Sequence, residues 1–267
     1  VSTDLNVPDR AETPEVLDLN RYGWRPDIPD HRDHLFAAHG PSLATLPAAV
    51  DLRPAHWPVY DQLQLGSCTA NAIAAAIEFD RIKQGLTDII PSRLFIYYNE
   101  RVLIHTVNSD SGAQIRDGIK TVAAQGVCPE VEWPYVISKF RVKPLPQCYA
   151  DALHDRAVSY ARVPQVLSQI QGCLAGGTPV VFGFSVYSSF ESATVAKTGV
   201  VPMPRRGEQM LGGHAVLAVG YDDAKQVFIV RNSWGSSWGV EGYMAMPYAY
   251  LTSPLASDFW AINTVST

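Results

Sequence analysis

The most uniform apolar stretch of the chain spans residues 70–79, where Ala70, Ala72, Ile73, Ala74, Ala75, Ala76 and Ile77 leave almost no polar face. Apolar residues nearly all round predict a helix buried on every side, not one laid on a surface. Ser67 stands where an N-cap belongs and puts Cys68 in the first turn. Helical spacing returns at residues 91–105, through Leu94, Phe95, Tyr97, Tyr98, Val102 and Leu103. It returns again at residues 114–124, with Gly126 as the stop, and around Cys173 at residues 166–174.

The period then changes. Residues 179–186, 215–221, 227–232, 242–246 and 259–262 are short β-rich runs divided by Gly, Asp and Ser turns. That is the habit of an antiparallel sheet or barrel. Helices first and strands second predict an α+β fold with two lobes, residues 47–150 mainly helical and 151–267 mainly β.

Residues 1–46 follow neither pattern. They hold Pro8, Pro14, Pro26, Pro29 and Pro41, an acidic excess (Asp4, Asp9, Glu12, Glu15, Asp18) and little apolar periodicity. Such a segment cannot build a core of its own, so it is disordered or laid across another surface. Tyr22, Trp24 and Ile28 lie in an extended, turn-rich stretch that supplies anchors. The functional reading is a pro-segment or lid over a cleft; the simpler one is a tail packed on the body.

Composition narrows the partners. With 47% hydrophobic and 18% charged residues the chain is globular, and 267 residues bury a sizeable core. A net charge of -5 without a Lys/Arg cluster argues against nucleic acid or an anionic membrane as partner. No apolar run reaches the roughly 20 residues needed to span a bilayer. None of the four cysteines is in CxxC spacing, and His31, His34 and His39 with Asp30 and Asp33 read as a solvated loop, so no metal is expected. Cys128 and Cys148 bound a 21-residue stretch and could pair if the protein is exported. The compartment stays open, with secretion or the periplasm slightly ahead of the cytoplasm.

Cys68 is the candidate nucleophile. At a helix start, unpaired N–H groups and the positive end of the dipole favour a thiolate. Taken alone, Cys68 is more simply a small buried hydrophobe, as most free cysteines are. A base oriented by a third group is needed. His214 follows Gly212 and Gly213 at the mouth of a strand, where the glycines allow another chain to approach the backbone. Asn232 ends the next strand, and its carbonyl could fix the imidazole, with Trp234 as a roof over that bond. Gln62 or Gln64 could reach round the turn to an oxyanion, and chemistry alone does not choose between them.

Gln62-x5-Cys68, Gly213-His214-Ala215-Val216 and Asn232-Ser233-Trp234-Gly235-x2-Trp238-Gly239-x2-Gly242-Tyr243 together resemble the papain family of cysteine peptidases. Cys68 and His214 are 146 residues apart, Cys68 and Asn232 are 164. The resemblance begins near Val50-Asp51-Leu52-Arg53 and implies a helical left lobe, a β-barrel-like right lobe and a cleft between them. It implies a Cys68 thiolate paired with a His214 imidazolium, Asn232 as orienter, Gln62 (over Gln64) at the oxyanion, and no cofactor. It also implies a peptide or protein substrate, a monomer, and a pro-segment whose part residues 1–46 would play. Thr69 stands where the family has an aromatic, and Leu65 where it has a cysteine. Ser111, Gly112 and Ala113 stand where it binds substrate backbone, followed by Gln114 and Ile115 at the specificity pocket. Gly183, Gly212, Gly213, Trp234 and Trp238 complete the expected substrate surface, open enough for apolar side chains. These departures are similar to a divergent bacterial branch, the xylellain-like enzymes. A catalytically silent peptide-binding or inhibitory module and an acyl-transferring or amide-hydrolysing enzyme on a non-protein substrate are the alternatives.

Overall fold

A computed structural model of the protein describes residues 21–36, 46–54 and 57–266. The remainder of the expected N-terminal segment, His39 included, lies outside the described residues. The first helix, α1 (Cys68–Lys83), is buried at every position from 68 to 81, as an all-round apolar sequence requires. Ala70, Ala72, Ala74, Ala75 and Ala76 let neighbours approach its backbone closely; a larger side chain there would overpack by about 1–3 kcal/mol. It ends where Gly85 takes φ 69° and Leu86 N–H donates back to the Arg81 carbonyl at 3.1 Å. At the other end Ser67 occupies the N-cap position but makes no side-chain cap. Its hydroxyl is engaged by Tyr135 (2.6 Å) and Asn71 (3.0 Å) instead.

Helices α2 (Arg93–Leu103) and α3 (Ile115–Gln125) pack against α1 and complete the helical lobe. Ser92 caps α2 by accepting from Phe95 N–H at 3.2 Å, and Gly126 at φ 76° closes α3. Two short helices, α4 (Pro146–Ala152) and α5 (Leu167–Ala175), follow. The smaller α6 (Ala193–Thr198) and α7 (Tyr248–Leu251) sit among the strands.

The β lobe is an antiparallel sheet of order β2-β7-β3-β4-β5-β6, with β1 on β4, and its two ends do not close on each other. The strands are β1 (Ala49–Asp51), β2 (Asp155–Arg162), β3 (Val180–Tyr187), β4 (Met210–Asp222), β5 (Val227–Arg231), β6 (Tyr243–Pro247) and β7 (Ala256–Ser266). The expected strands at 215–221 and 259–262 are cores of much longer ones. Strand β4 starts at Met210, so His214 lies within a strand and not at its mouth. Pairing with β3 (Phe184 opposite His214) carries regular structure through Gly212 and Gly213, which the sequence places ahead of the strand. Strand β2 was not expected; it pairs with β7 across the sheet edge.

Alternation along β4 builds the two-lobed architecture. Ala215, Leu217 and Val219 face the core shared with α1, while Val216 and Ala218 face the core of the β lobe. The same switch separates Trp260 and Ile262 from Phe259 and Ala261 on β7. One sheet thereby carries a core on each side, and α1 is wedged against it with Cys68 at its leading end.

Candidate active site

Two isolated strand-like pairings tie the site together. Asp61 bridges Trp234, and Gln62 N–H donates to the Ser233 carbonyl at 2.8 Å, so the turn before Cys68 is stitched to the chain just after Asn232. Ser233 Oγ donates to Gln62 Oε1 at 2.6 Å and so directs the amide Nε2 inward. That Nε2 donates to the Leu65 carbonyl (2.9 Å) and the Arg21 carbonyl (3.0 Å). Ser233 is a site residue the motif contained but sequence reasoning gave no role.

His214 and Asn232 meet as expected: Nε2 lies 2.8 Å from Asn232 Oδ1, which also accepts from Ser233 N–H at 2.8 Å. The second acceptance fixes which way the amide faces, so the imidazole donates from Nε2 and leaves Nδ1 as the free acceptor. Nδ1 has no hydrogen-bond partner among the described residues. The Trp234 ring lies 4.9 Å from the imidazole, centroid to centroid, and is itself buried. Trp238 packs edge-on behind Trp234 at 5.3 Å. It is buried, and it also packs on Phe190 at 5.6 Å.

Cys68 is fully buried, and the backbone N–H groups of Ala215, Gly23 and Thr69 point at its sulfur. Ala215 follows His214, so strand β4 delivers base and N–H dipole together. Burial nevertheless pushes the thiol up to about 12, against those N–H groups. Burial likewise brings His214 down to about 4, with the Asn232 bond opposing and the charge of Arg21 assisting. In this covered state burial favours the neutral form of each group, whereas the resemblance implies an ion pair.

What covers it is the chain's own segment 21–28. Trp24 N–H donates to the Gly213 carbonyl (3.1 Å), Arg25 N–H to the Ala113 carbonyl (2.9 Å), and Ala113 N–H to the Gly23 carbonyl (2.8 Å). Gly23 lies so close that a Cβ there would fall 1.7 Å from the Gly66 carbonyl oxygen. Gly112, at φ 66°, meets the Gly23 carbonyl in the same way. The Trp24 indole fills a cradle made by missing side chains: a Cβ on Gly183 would come 1.9 Å from it, one on Gly213 2.6 Å. Tyr22 covers Gly212, and the Arg21 guanidinium lies 3.5 Å over the Trp234 ring. Gln114 Nε2 donates to the Pro26 carbonyl at 3.0 Å.

Three expected site residues lie elsewhere. Ser111 turns its hydroxyl to Thr106 (2.7 Å) and the Gly112 carbonyl (2.9 Å). Ile115 is in the helical core, because the first turn of α3 points it inward. Ile28 is 71% exposed, and the anchor is its neighbour Asp27. Asp27 accepts from Trp260 Nε1 (2.9 Å) and Arg116 N–H (3.1 Å), while its own N–H donates to Asp258 (2.7 Å). Asp33 pairs with Arg116 at 2.5 Å and with Arg162 at 3.3 Å, and Asp258 with Arg162 at 3.1 Å. Sequence could not find this clasp, since its members lie up to 233 residues apart.

Next to Cys68, Thr69 donates to Glu100 at 2.6 Å, and the other Glu100 oxygen has no hydrogen-bond partner among the described residues. Desolvation raises Glu100 to about 8. Tyr135 OH donates to the Gln62 carbonyl at 3.0 Å and braces Ser67, a role no sequence signal marked. No helix among the described residues is long and apolar enough to cross a membrane.

The model of the papain family cysteine proteases matches residues 46–254. An uncharacterized peptidase C1-like protein of Acanthamoeba polyphaga mimivirus is 49% identical over 234 residues, covering 84% of this chain and 73% of the viral protein. The crystal structure of xylellain, a cysteine protease from Xylella fastidiosa, superposes with a TM-score of 0.89 at 46% identity, covering 94% of this chain and 99% of that one. Procathepsin B of Trypanosoma congolense has the same fold at 17% identity, with a TM-score of 0.70 and coverage of 88% and 84%.

Proposed function

This chain belongs to the papain family of cysteine proteases, and on that premise we propose that it hydrolyses peptide bonds through an acyl-enzyme on Cys68, with residues 21–36 holding the site closed. In the open form the Cys68 sulfur attacks the substrate carbonyl. The free Nδ1 of His214 takes the thiol proton and returns it to the leaving amine; water then attacks the thioester along the same route. Asn232 keeps the imidazole in the tautomer that leaves Nδ1 available. Gln62 Nε2 and the Cys68 N–H hold the developing oxyanion.

The observation that carries this reading is the Arg21 carbonyl, held 3.0 Å from Gln62 Nε2 while Gly23 covers the sulfur. A peptide carbonyl already occupies the place assigned to the oxyanion, and backbone pairs to Ala113 and Gly213 flank it, as for a bound peptide. The cradle of Gly183 and Gly213, filled by Trp24, supports a substrate side chain that is large and aromatic. The test compares the full chain, a chain opened after residue 36, and Cys68→Ala in the opened chain, on denatured casein and on a thiol-directed epoxide. The opened chain is expected to cleave casein and take up one epoxide on Cys68, the full chain to do both slowly, and the alanine variant neither. Casein cleavage that survives Cys68→Ala would remove the mechanism; equal rates for full and opened chains would remove the regulation.

A further inference from the structure

The proposed chemistry uses one of four cysteines. Cys173 is a core residue of α5, with its thiol on the Thr178 carbonyl. Cys128 and Cys148 are another matter. Both are buried, both are free thiols, and their sulfurs lie within 4.8 Å of each other. Cys148 is the third residue of α4, with its thiol on the Glu132 carbonyl at 4.0 Å, and the Cys128 carbonyl accepts Ser92 N–H at 2.8 Å at the head of α2. Two ends of one loop are thus fixed to regular structure with their sulfurs close together.

We propose that Cys128 and Cys148 are a modification site, a reversible disulfide that clamps loop 128–148 behind the catalytic turn. The middle of that loop braces the residues around Cys68. Glu130 binds Arg93 at 2.6 and 2.8 Å, the Trp133 carbonyl accepts Ser92 Oγ at 2.7 Å, and Tyr135 OH holds the Gln62 carbonyl and Ser67. A covalent tie between the loop's ends removes the openings that would carry Tyr135 away from Gln62.

The oxidant is a small-molecule disulfide. One cysteine thiolate attacks it, forming a mixed disulfide and expelling one thiolate. The second cysteine thiolate attacks the protein-bound sulfur and expels the other. Two protons pass to solvent, the protein pair loses two electrons, and the small disulfide gains them. A metal ion is the competing occupant, since the Glu132 carboxylate also lies within 4.8 Å of both sulfurs. Glu132 is exposed, whereas both sulfurs are buried and close together, which favours the disulfide.

The test uses the full chain, reduced and then placed with oxidised glutathione or with zinc, followed by denaturing alkylation and peptide mass mapping. The oxidised sample is expected to yield a linked 128–148 peptide pair about 2 Da lighter than its reduced parts, with Cys173 alkylated. Its Tm is expected to rise by about 5–10 °C over the reduced chain, a rise absent in Cys148→Ser. Alkylation of both cysteines after oxidation, a separate glutathione on each, or protection by zinc but not by oxidised glutathione would each overturn the proposal. The mass map needs no variant, so a poorly folding Cys148→Ser leaves it decisive.

Discussion

The backbone carbonyl of Arg21 and the side-chain amide of Gln62 meet at 3.0 Å, while the Arg21 guanidinium lies 3.5 Å over the ring of Trp234, which packs on His214. One residue therefore occupies two parts of the site through backbone and side chain. On the proposed reading, closure is a local affair of residues 21–28, and local affairs are testable by single substitutions.

Gly23→Ala is the sharpest of these. The added Cβ would lie 1.7 Å from the Gly66 carbonyl oxygen, a backbone atom fixed by Asp110 at the Gly66 N–H. The segment must lift. Labelling of Cys68 by iodoacetamide near pH 6 is expected to speed up at least about tenfold in the full chain, as solvent returns to a thiol now held at about 12. The chain opened after residue 36 would label at the faster rate without any substitution.

Docking of the segment depends on pH through Asp27. Burial, and then the charge of Asp258, raises Asp27 to about 6, with Trp260 and Arg116 opposing. A group whose docked value exceeds its free value (about 3.9) takes up a proton on docking. Docking is thus firmest below about pH 4 and weakens as pH rises through 6, by at most about 10²-fold. Asp258 is raised as well, again mainly by burial, and acts in the same direction. Hydrogen exchange of a peptide covering residues 21–28 should show protection falling over that range, and Asp27→Asn should flatten the fall.

Thr69→Ala would leave the buried Glu100 carboxyl without its one hydrogen-bond donor. The expected loss is about 1–3 kcal/mol in urea unfolding at pH 7. Glu100 sits at about 8, above an unfolded value near 4.3, so its stabilising share is complete below pH 4 and lost as pH climbs through 8. Glu100→Gln should therefore reduce the decline in stability between pH 7 and 9.

Asn232→Ala removes the acceptor that fixes the His214 tautomer, along with the Ser233 N–H contact. On casein, the opened chain is expected to lose about 10²-fold or more in kcat, with a smaller change in KM. Loss of kcat with an unchanged circular dichroism spectrum separates this from unfolding.

Gly183→Val would place atoms inside the Trp24 indole. In the opened chain the same substitution should cut kcat/KM for peptides with a bulky aromatic in that cradle and spare those with alanine, by about tenfold or more in the ratio. Peptide scanning on both chains reads it.

Much of the molecule was legible in one dimension because its signals are local. All-round apolarity marked α1, and glycine stops and period changes marked α2, α3 and most of the sheet. Cys68, His214 and Asn232 are candidates from their own short stretches, and only the family resemblance joins them and selects Gln62 over Gln64. Strand β2 and the extent of β4 were not legible, since pairing with a distant strand decides them. Ile115 turns into the helical core and Ile28 out to solvent, and neither is legible for a related reason: spacing gives a face, but only packing says what that face meets.

The sequence by itself determined a buried helix with a cysteine at its head, a β half carrying a histidine and an asparagine, and an N-terminal stretch unable to fold alone. Those follow from periodicity and composition, which the chain carries residue by residue. Tertiary structure alone decided the state of the site. Arg21 lies on Gln62 and Trp234, Trp24 fills the space left by Gly183 and Gly213, and Asp27 is buried beside Asp258. Burial of Cys68 and His214 then favours their neutral forms, because desolvation penalises charge and depends on what covers a group, whatever its sequence neighbours.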